Sequence, residues 1–236
     1  MDKSYIASLE HVGLGYRRQG GVPWKRTTFW ALEDVSFQIQ RGDTLGVVGR
    51  NGAGKSSLLR IIAGIILPDR GKIDRVPDTR ITLLSFGAGF ESRLTGRQNI
   101  ILNGLQLGMN KTHVLSRIDQ IIELADIGTF IDEPVRTFSS GMRARLGFAI
   151  AYFIDTDVML IDEAFATGDE AFREKATDLI RQKIASDLTV VIVSHSRRLI
   201  SSTCTRVIQI EHGVTLPELP PDETLDRYRR TSFSSS

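Results

Sequence analysis

The chain has 236 residues, 41% of them hydrophobic and 25% charged, which allows a sizeable core and excludes an extensively disordered protein. Thirty Lys+Arg against 28 Asp+Glu leave a net charge of +2, too even a balance for a protein that grips a nucleic-acid backbone. A single cysteine, Cys204, excludes an internal disulfide, and with four scattered histidines it makes a structural zinc site unexpected.

The start, Met1-Asp2-Lys3-Ser4-Tyr5, has no apolar stretch of the kind that opens a secretory signal. Strands are expected over Tyr5–Val12 and Trp30–Ile39, from their alternation and their β-branched and aromatic residues. Between them a basic loop is expected, with Arg17, Arg18, Lys25 and Arg26 around Gly20-Gly21 and Pro23; it reads as a solvated hairpin or as a surface for lipid head groups or a sugar phosphate. Thr44–Val48 reads as a short buried strand, followed by a helix from Lys55 to about Ile65 that Pro68 and Gly71 stop. Helical periodicity then dominates near 99–108, 111–127 and 141–154. The longest apolar run, Leu146 to Ile154, ends at Asp155, far short of the roughly 20 residues a spanning helix needs, so the chain is not expected to cross a membrane by itself. Asp157–Ile161 and Leu188–Val193 are continuous apolar runs, the pattern of parallel strands buried on both faces, and a helix of about 170–186 joins them into a βαβ unit. The Ser-rich end from Thr231 reads as frayed. The fold class that follows is α/β, with a helical insertion.

Gly49-Arg50-Asn51-Gly52-Ala53-Gly54-Lys55-Ser56-Ser57 matches G-x-x-x-x-G-K-[ST] and lies where that motif works, between a strand and a helix. Glycines let backbone N–H groups curl around phosphate oxygens, and the helix N-terminus adds positive potential. Lys55 is then in reach of a nucleotide's β- and γ-phosphates, and the Ser56 hydroxyl is a magnesium ligand. Val158–Ile161 delivers Asp162 and Glu163 to the carboxyl end of a strand, where ligands of parallel sheets collect. Asp162 is the second candidate for magnesium, and Glu163 is placed to orient and deprotonate a water.

Between these two motifs stands Thr137-Phe138-Ser139-Ser140-Gly141-Met142-Arg143-Ala144-Arg145-Leu146-Gly147. With its neighbours it makes the chain resemble the nucleotide-binding subunit of an ATP-binding-cassette transporter. That family carries a Leu-Ser-Gly-Gly-Gln signature whose backbone donors contact the γ-phosphate of ATP held by the opposing subunit. Ser139 and Gly141 match it, while Phe138, Ser140 and Met142 replace Leu, Gly and Gln; a plain helix cap is the alternative reading of the serine pair. The resemblance also implies an adenine-stacking aromatic at Tyr16, which otherwise reads as a core or surface aromatic. Asp169 falls on the loop that crosses the dimer interface, with a helix cap as its alternative, and His195 corresponds to the histidine that contacts the γ-phosphate. Where the wider family has a metal-ligating Gln, Ser85 or Phe86 stands here, followed by Gly87-Ala88-Gly89-Phe90.

The expected architecture is therefore a P-loop NTPase core with a parallel sheet, an antiparallel N-terminal β subdomain and a helical insertion. One domain is expected over 1–236, with the core and β subdomain in 1–98 and 156–220, the helical part at about 99–155, and a short tail at 221–236. Gly-Ala-Gly-Phe, Leu94-Thr95-Gly96-Arg97 and the Thr167-Gly168-Asp169 ending look like exporters of bacterial surface polysaccharides, of the O-antigen, capsule or teichoic acid type. By that resemblance the chain is an ATPase using ATP and Mg²⁺, working as a homodimer with a separate integral-membrane permease, on the cytoplasmic face of the membrane. The permease would handle most of the polysaccharide, and no nucleic acid is expected. Exporters of another lipid, drug or small molecule, and a soluble cassette ATPase, remain as alternatives.

Overall fold

The computed structural model describes residues 5–19, 26–84, 89–162, 170–185 and 188–233. They fall into two compact units. The first takes the described residues within 1–83, 158–163 and 187–236, and the second those within 84–157 and 164–186.

The first unit is built on one sheet that, among the described residues, runs in the order β4-β1-β2-β9-β8-β3-β7-β6-β5. Its antiparallel half comes from β1 (Tyr5–Gln19), β2 (Arg26–Gln40) and β4 (Arg70–Arg75). β1 and β2 pair from Tyr5↔Gln40 out to Gln19↔Arg26, so Arg17, Arg18 and Arg26 belong to strands and not to the expected basic loop; Lys25 lies outside the described residues. Cross-strand pairing carries the ladder past the point where apolar alternation fades, which is why the sequence pattern ends too early.

The parallel half holds β3 (Thr44–Val48), β6 (Val158–Ile161), β7 (Thr189–Val193) and β8 (Arg206–Glu211). β3 is flanked by β7 and β8, and β6 pairs with β7. Every residue of β3, β6 and β7 is buried, the condition that produces an unbroken apolar run in place of alternation. Helix α1 (Lys55–Ile62) sets Leu58, Leu59, Ile61 and Ile62 into the same core as Leu45, Val47, Val191 and Val193. Each such side chain contributes about 1.5–3 kcal/mol of burial. β5 (Ile81–Leu84) stands at one edge of the sheet, and the two-residue β9 (Val214–Thr215) lies between β2 and β8 and joins the antiparallel half to the parallel half.

The chain ends, within the described residues, in helix α7 (Pro221–Phe233). Pro221 at its first position and Asp222 and Glu223 in its first turn suit a helix start, since proline lacks only an N–H that would have no partner and the acids complement the helix dipole. Leu225 is buried, and Arg227 donates to Gln209 on β8 at 2.9 Å and to the Pro217 carbonyl at 3.0 Å.

The second unit is helical, comprising α2 (Gly96–Gln106), α3 (Lys111–Ala125), α4 (Ser140–Tyr152), α5 (Glu170–Ile184) and two 3-10 turns. Thr95 and Gln98 form a reciprocal capping box at the start of α2, and Asn110 caps α3. Phe148 is buried and packs edge-to-face on Phe172, ring centroids 5.6 Å apart.

Candidate functional site

Strands β3, β6 and β7 run parallel, so their carboxyl ends share one edge of the sheet. β3 delivers the glycine-rich loop there, β6 delivers Asp162 and β7 delivers His195 two residues beyond its end. All three belong to the first unit.

The loop's shape is set by steric exclusion. Gly54 caps α1 at φ +96°, and a Cβ on it would lie 2.2 Å from the Ala31 carbonyl oxygen and 2.5 Å from Leu32. A Cβ on Gly49 would lie 2.4 Å from the Ile210 carbonyl oxygen. Gly52 also has positive φ, at +82°, with open space around it. The α1 N-cap makes no side-chain hydrogen bond, so backbone N–H groups at the start of α1 are directed at the loop with no capping oxygen on them.

Lys55 is buried to 7% exposure, and its ammonium donates to the carbonyl oxygens of Gly49 at 2.7 Å and Arg50 at 3.0 Å. Its Nζ stands 3.5 Å from His195 Nε2. That nitrogen lies 2.9 Å from Asn51 Oδ1, and His195 Nδ1 lies 2.7 Å from the Tyr228 hydroxyl on α7. Lys55, Asn51 and His195 are therefore brought together. Tyr228 is a neighbour that the sequence reading missed, since no motif or spacing ties position 228 to position 195.

Tyr16 sits on β1 opposite Phe29, is 42% exposed, and places its hydroxyl 3.1 Å from Ser57 Oγ in the first turn of α1. An exposed aromatic ring is thus held beside the phosphate loop. Ser56 is exposed in that same turn. Among the described residues no group of three His, Cys, Asp or Glu side chains is placed to hold a metal. A magnesium ion takes one or two protein oxygens and completes its shell with nucleotide oxygens and water. Ser56 carries a hydroxyl and Asp162 a carboxylate, oxygens of the kind such an ion could take.

In the second unit, Ser139 caps α4, its Oγ accepting from the Met142 N–H at 3.1 Å. A capping hydroxyl accepts through a lone pair and keeps its own proton for donation, so capping and phosphate binding are compatible. Gly141 lies in the first turn, where a Cβ would meet only Ser139 Oγ, at 3.8 Å. Glu163, Asp169, Ser85 and Phe86 lie outside the described residues.

Residues 32–166 match the ABC transporter family. The chain belongs to that family. It is 40% identical over 202 residues to the ABC transporter protein AbcA of Aeromonas salmonicida, covering 86% of this chain and 65% of the relative. It is 43% identical over 204 residues to the teichoic acids export ATP-binding protein TagH of Lactiplantibacillus plantarum, covering 86% and 56%. Identity to the O-antigen export system ATP-binding protein RfbB of Klebsiella pneumoniae is 42% over 189 residues, covering 80% and 76%. The chain thus spans under two thirds of the length of the first two. The fold is that of the dimeric structure of MJ0796, a bacterial ABC transporter cassette, with a TM-score of 0.76 at 20% identity over 91% of this chain and 98% of that one.

Proposed function

We propose that the chain is the ATP-hydrolysing subunit of an exporter of lipid-linked surface polysaccharide, working with a separate membrane permease. The observation that carries the ATPase reading is the Lys55 ammonium held inside a loop that Gly49 and Gly54 shape by excluding any Cβ. The cargo reading is supported by the export systems named for its relatives, TagH and RfbB.

Phosphate oxygens compete with the Gly49 and Arg50 carbonyls for Lys55, and the amides at the start of α1 receive the same oxygens. Tyr16 stacks on the adenine while Gly52, Ala53, Ser56 and Ser57 line the phosphates. Ser56 and Asp162 would hold magnesium, which would supply charge neutralisation at the phosphates. Glu163 orients the attacking water and takes its proton, and His195 donates toward the γ-phosphate. Two copies face each other head to tail, so Ser139 and Gly141 of one close on the nucleotide of the other and Asp169 crosses between them. ATP then joins the two copies and its hydrolysis releases them, and the permease converts that cycle into export. None of the described helices is long and apolar enough to cross a membrane. By its relation to the export systems, the subunit sits peripherally on the cytoplasmic face beside the permease.

The test uses tagged Glu163→Gln protein, purified with ATP from detergent-solubilised membranes of its native host. Retained ATP, lost turnover and a stoichiometric polytopic partner carrying lipid-linked glycan are the expected results. Wild-type turnover in that variant overturns Glu163 as the base. Recovery from the soluble fraction alone overturns the exporter, and a partner bearing a small-molecule cargo overturns the glycan.

A further inference from the structure

We infer that Tyr228 on the C-terminal helix α7 is a positioning residue for His195, fixing which ring nitrogen carries the proton and which way it faces. The inference rests on the ATPase reading and adds to it a device outside the motifs of the chain.

Two short contacts span the ring. The Tyr228 hydroxyl lies 2.7 Å from His195 Nδ1, and Asn51 Oδ1 lies 2.9 Å from His195 Nε2. An amide oxygen only accepts, so the 2.9 Å contact requires a proton on Nε2. In a neutral imidazole Nδ1 is then the acceptor, and the Tyr228 O–H is its donor. The opposite arrangement has Nδ1–H donating to Tyr228, whose hydroxyl passes its own proton to the Gly49 carbonyl at 3.4 Å, and Lys55 donating to Nε2 at 3.5 Å. It uses the two long contacts and sets an acceptor against an acceptor at Asn51. Geometry therefore selects Nε2–H, the form that donates to a phosphate oxygen arriving in the loop.

Tyr228 is itself held. Leu225, three residues before it, is buried, Arg227 is bonded to Gln209 on β8, and Asp226 pairs with Arg197 on helix α6 (Arg197–Thr203) at 2.9 Å. Thr231 donates to the Tyr228 carbonyl at 3.0 Å and is bonded to Gln209 at 3.2 Å. A hydroxyl on a helix fastened at these points is a fixed reference for a histidine that follows a strand end. A shift of α7 becomes a change in His195, which ties hydrolysis to the C-terminal segment of the chain.

The test is Tyr228→Phe in the full chain, which keeps the ring and deletes the hydroxyl. In ¹⁵N-histidine spectra of the nucleotide-free protein, with the His195 signals assigned by their loss in His195→Gln, the wild type is expected to show Nδ1 as an unprotonated acceptor and Nε2 as N–H. Tyr228→Phe moves the Nδ1 signal and mixes the tautomers. A wild-type Nδ1 that carries the proton, or a Tyr228→Phe spectrum like the wild type, overturns the inference. In steady-state ATP hydrolysis, Tyr228→Phe is expected to lower kcat about tenfold, by misdirecting one donor, while the Kd for ATP changes less than about twofold. Equal losses in both, or none in kcat, overturn it. A wild-type chain that hydrolyses no ATP instead overturns the proposed function, and the spectra still decide the role of Tyr228.

Discussion

The ammonium of Lys55 lies 2.7 Å from the carbonyl oxygen of Gly49, so the buried cation of the phosphate loop is bonded to the loop's own backbone. Lys55→Met keeps the apolar stem and deletes the charge. A hydrogen bond to a charged group contributes about 1.5–3 kcal/mol, so ATP affinity is expected to fall roughly 10- to 150-fold in titration calorimetry. The circular-dichroism spectrum stays that of the wild type. Unchanged affinity refutes Lys55 as the phosphate ligand.

Two glycines of one loop are expected to respond differently to alanine. Gly54→Ala drives a methyl to 2.2 Å from the Ala31 carbonyl oxygen at φ +96°, and no rotamer relieves a contact with backbone. Gly52→Ala meets open space and costs the left-handed backbone alone, about 1–2 kcal/mol. Urea unfolding should therefore show Gly54→Ala losing more stability than Gly52→Ala. ATP binding should vanish in the former, whose α1 N-terminus is displaced. Equal losses contradict the steric account.

Much of this site is legible in the sequence because its parts are contiguous. Gly49–Ser57 is one run, and the strands that bring Asp162 and His195 to the same edge are marked by their apolar composition. Position is harder to read when it depends on docking. α7 begins at a readable start signal, Pro221-Asp222-Glu223, yet its contact with His195 is made across 33 residues through packing on β8, which no period encodes. The same holds for the reach of β1 and β2 to Gln19↔Arg26, where the ladder continues among charged residues.

Tyr16 separates two roles by substitution. If its ring stacks on adenine, Tyr16→Phe retains ATP affinity and loses just the 3.1 Å contact with Ser57. Tyr16→Ala removes a stacking interaction of about 1–3 kcal/mol, or roughly 5- to 150-fold in Kd. A fluorescent adenine nucleotide reads both. Alanine with wild-type affinity assigns Tyr16 to the fold.

Burial pushes the Cys204 thiol up to about 11, and its Sγ lies 3.1 Å from where a Cβ on Gly46 of β3 would stand. A folded-state value above the unfolded one means that the native protein binds more protons once the unfolded chain begins to lose them. Stability from this group is thus complete below about 9, and it declines as pH rises toward 11. Urea midpoints measured from pH 8 to 11 should fall more steeply in the wild type than in Cys204→Ala. Parallel slopes would show that the thiol is not the titrating group.

Asn99 is fully buried on α2 and joins four backbone groups. Its Oδ1 accepts from the Glu91 N–H at 2.8 Å, and the two protons on its Nδ2 are shared among the carbonyls of Glu91, Leu94 and Thr95 at 3.0, 3.1 and 2.9 Å. It therefore holds the segment 91–95 against the helix that follows. Asn99→Ala takes the acceptor from the Glu91 N–H, at about 1–3 kcal/mol before relaxation, while the three carbonyls keep the backbone N–H groups of Leu94, Val135 and Asn99, and it is expected to destabilise the helical unit. Asn99→Asp is expected to be worse, because a carboxylate would face three carbonyl oxygens with nothing to donate. Both should keep the phosphate loop, which belongs to the other unit, so ATP affinity is retained while hydrogen exchange at 91–106 accelerates. Loss of ATP binding in step with that exchange would mean that the two units unfold as one.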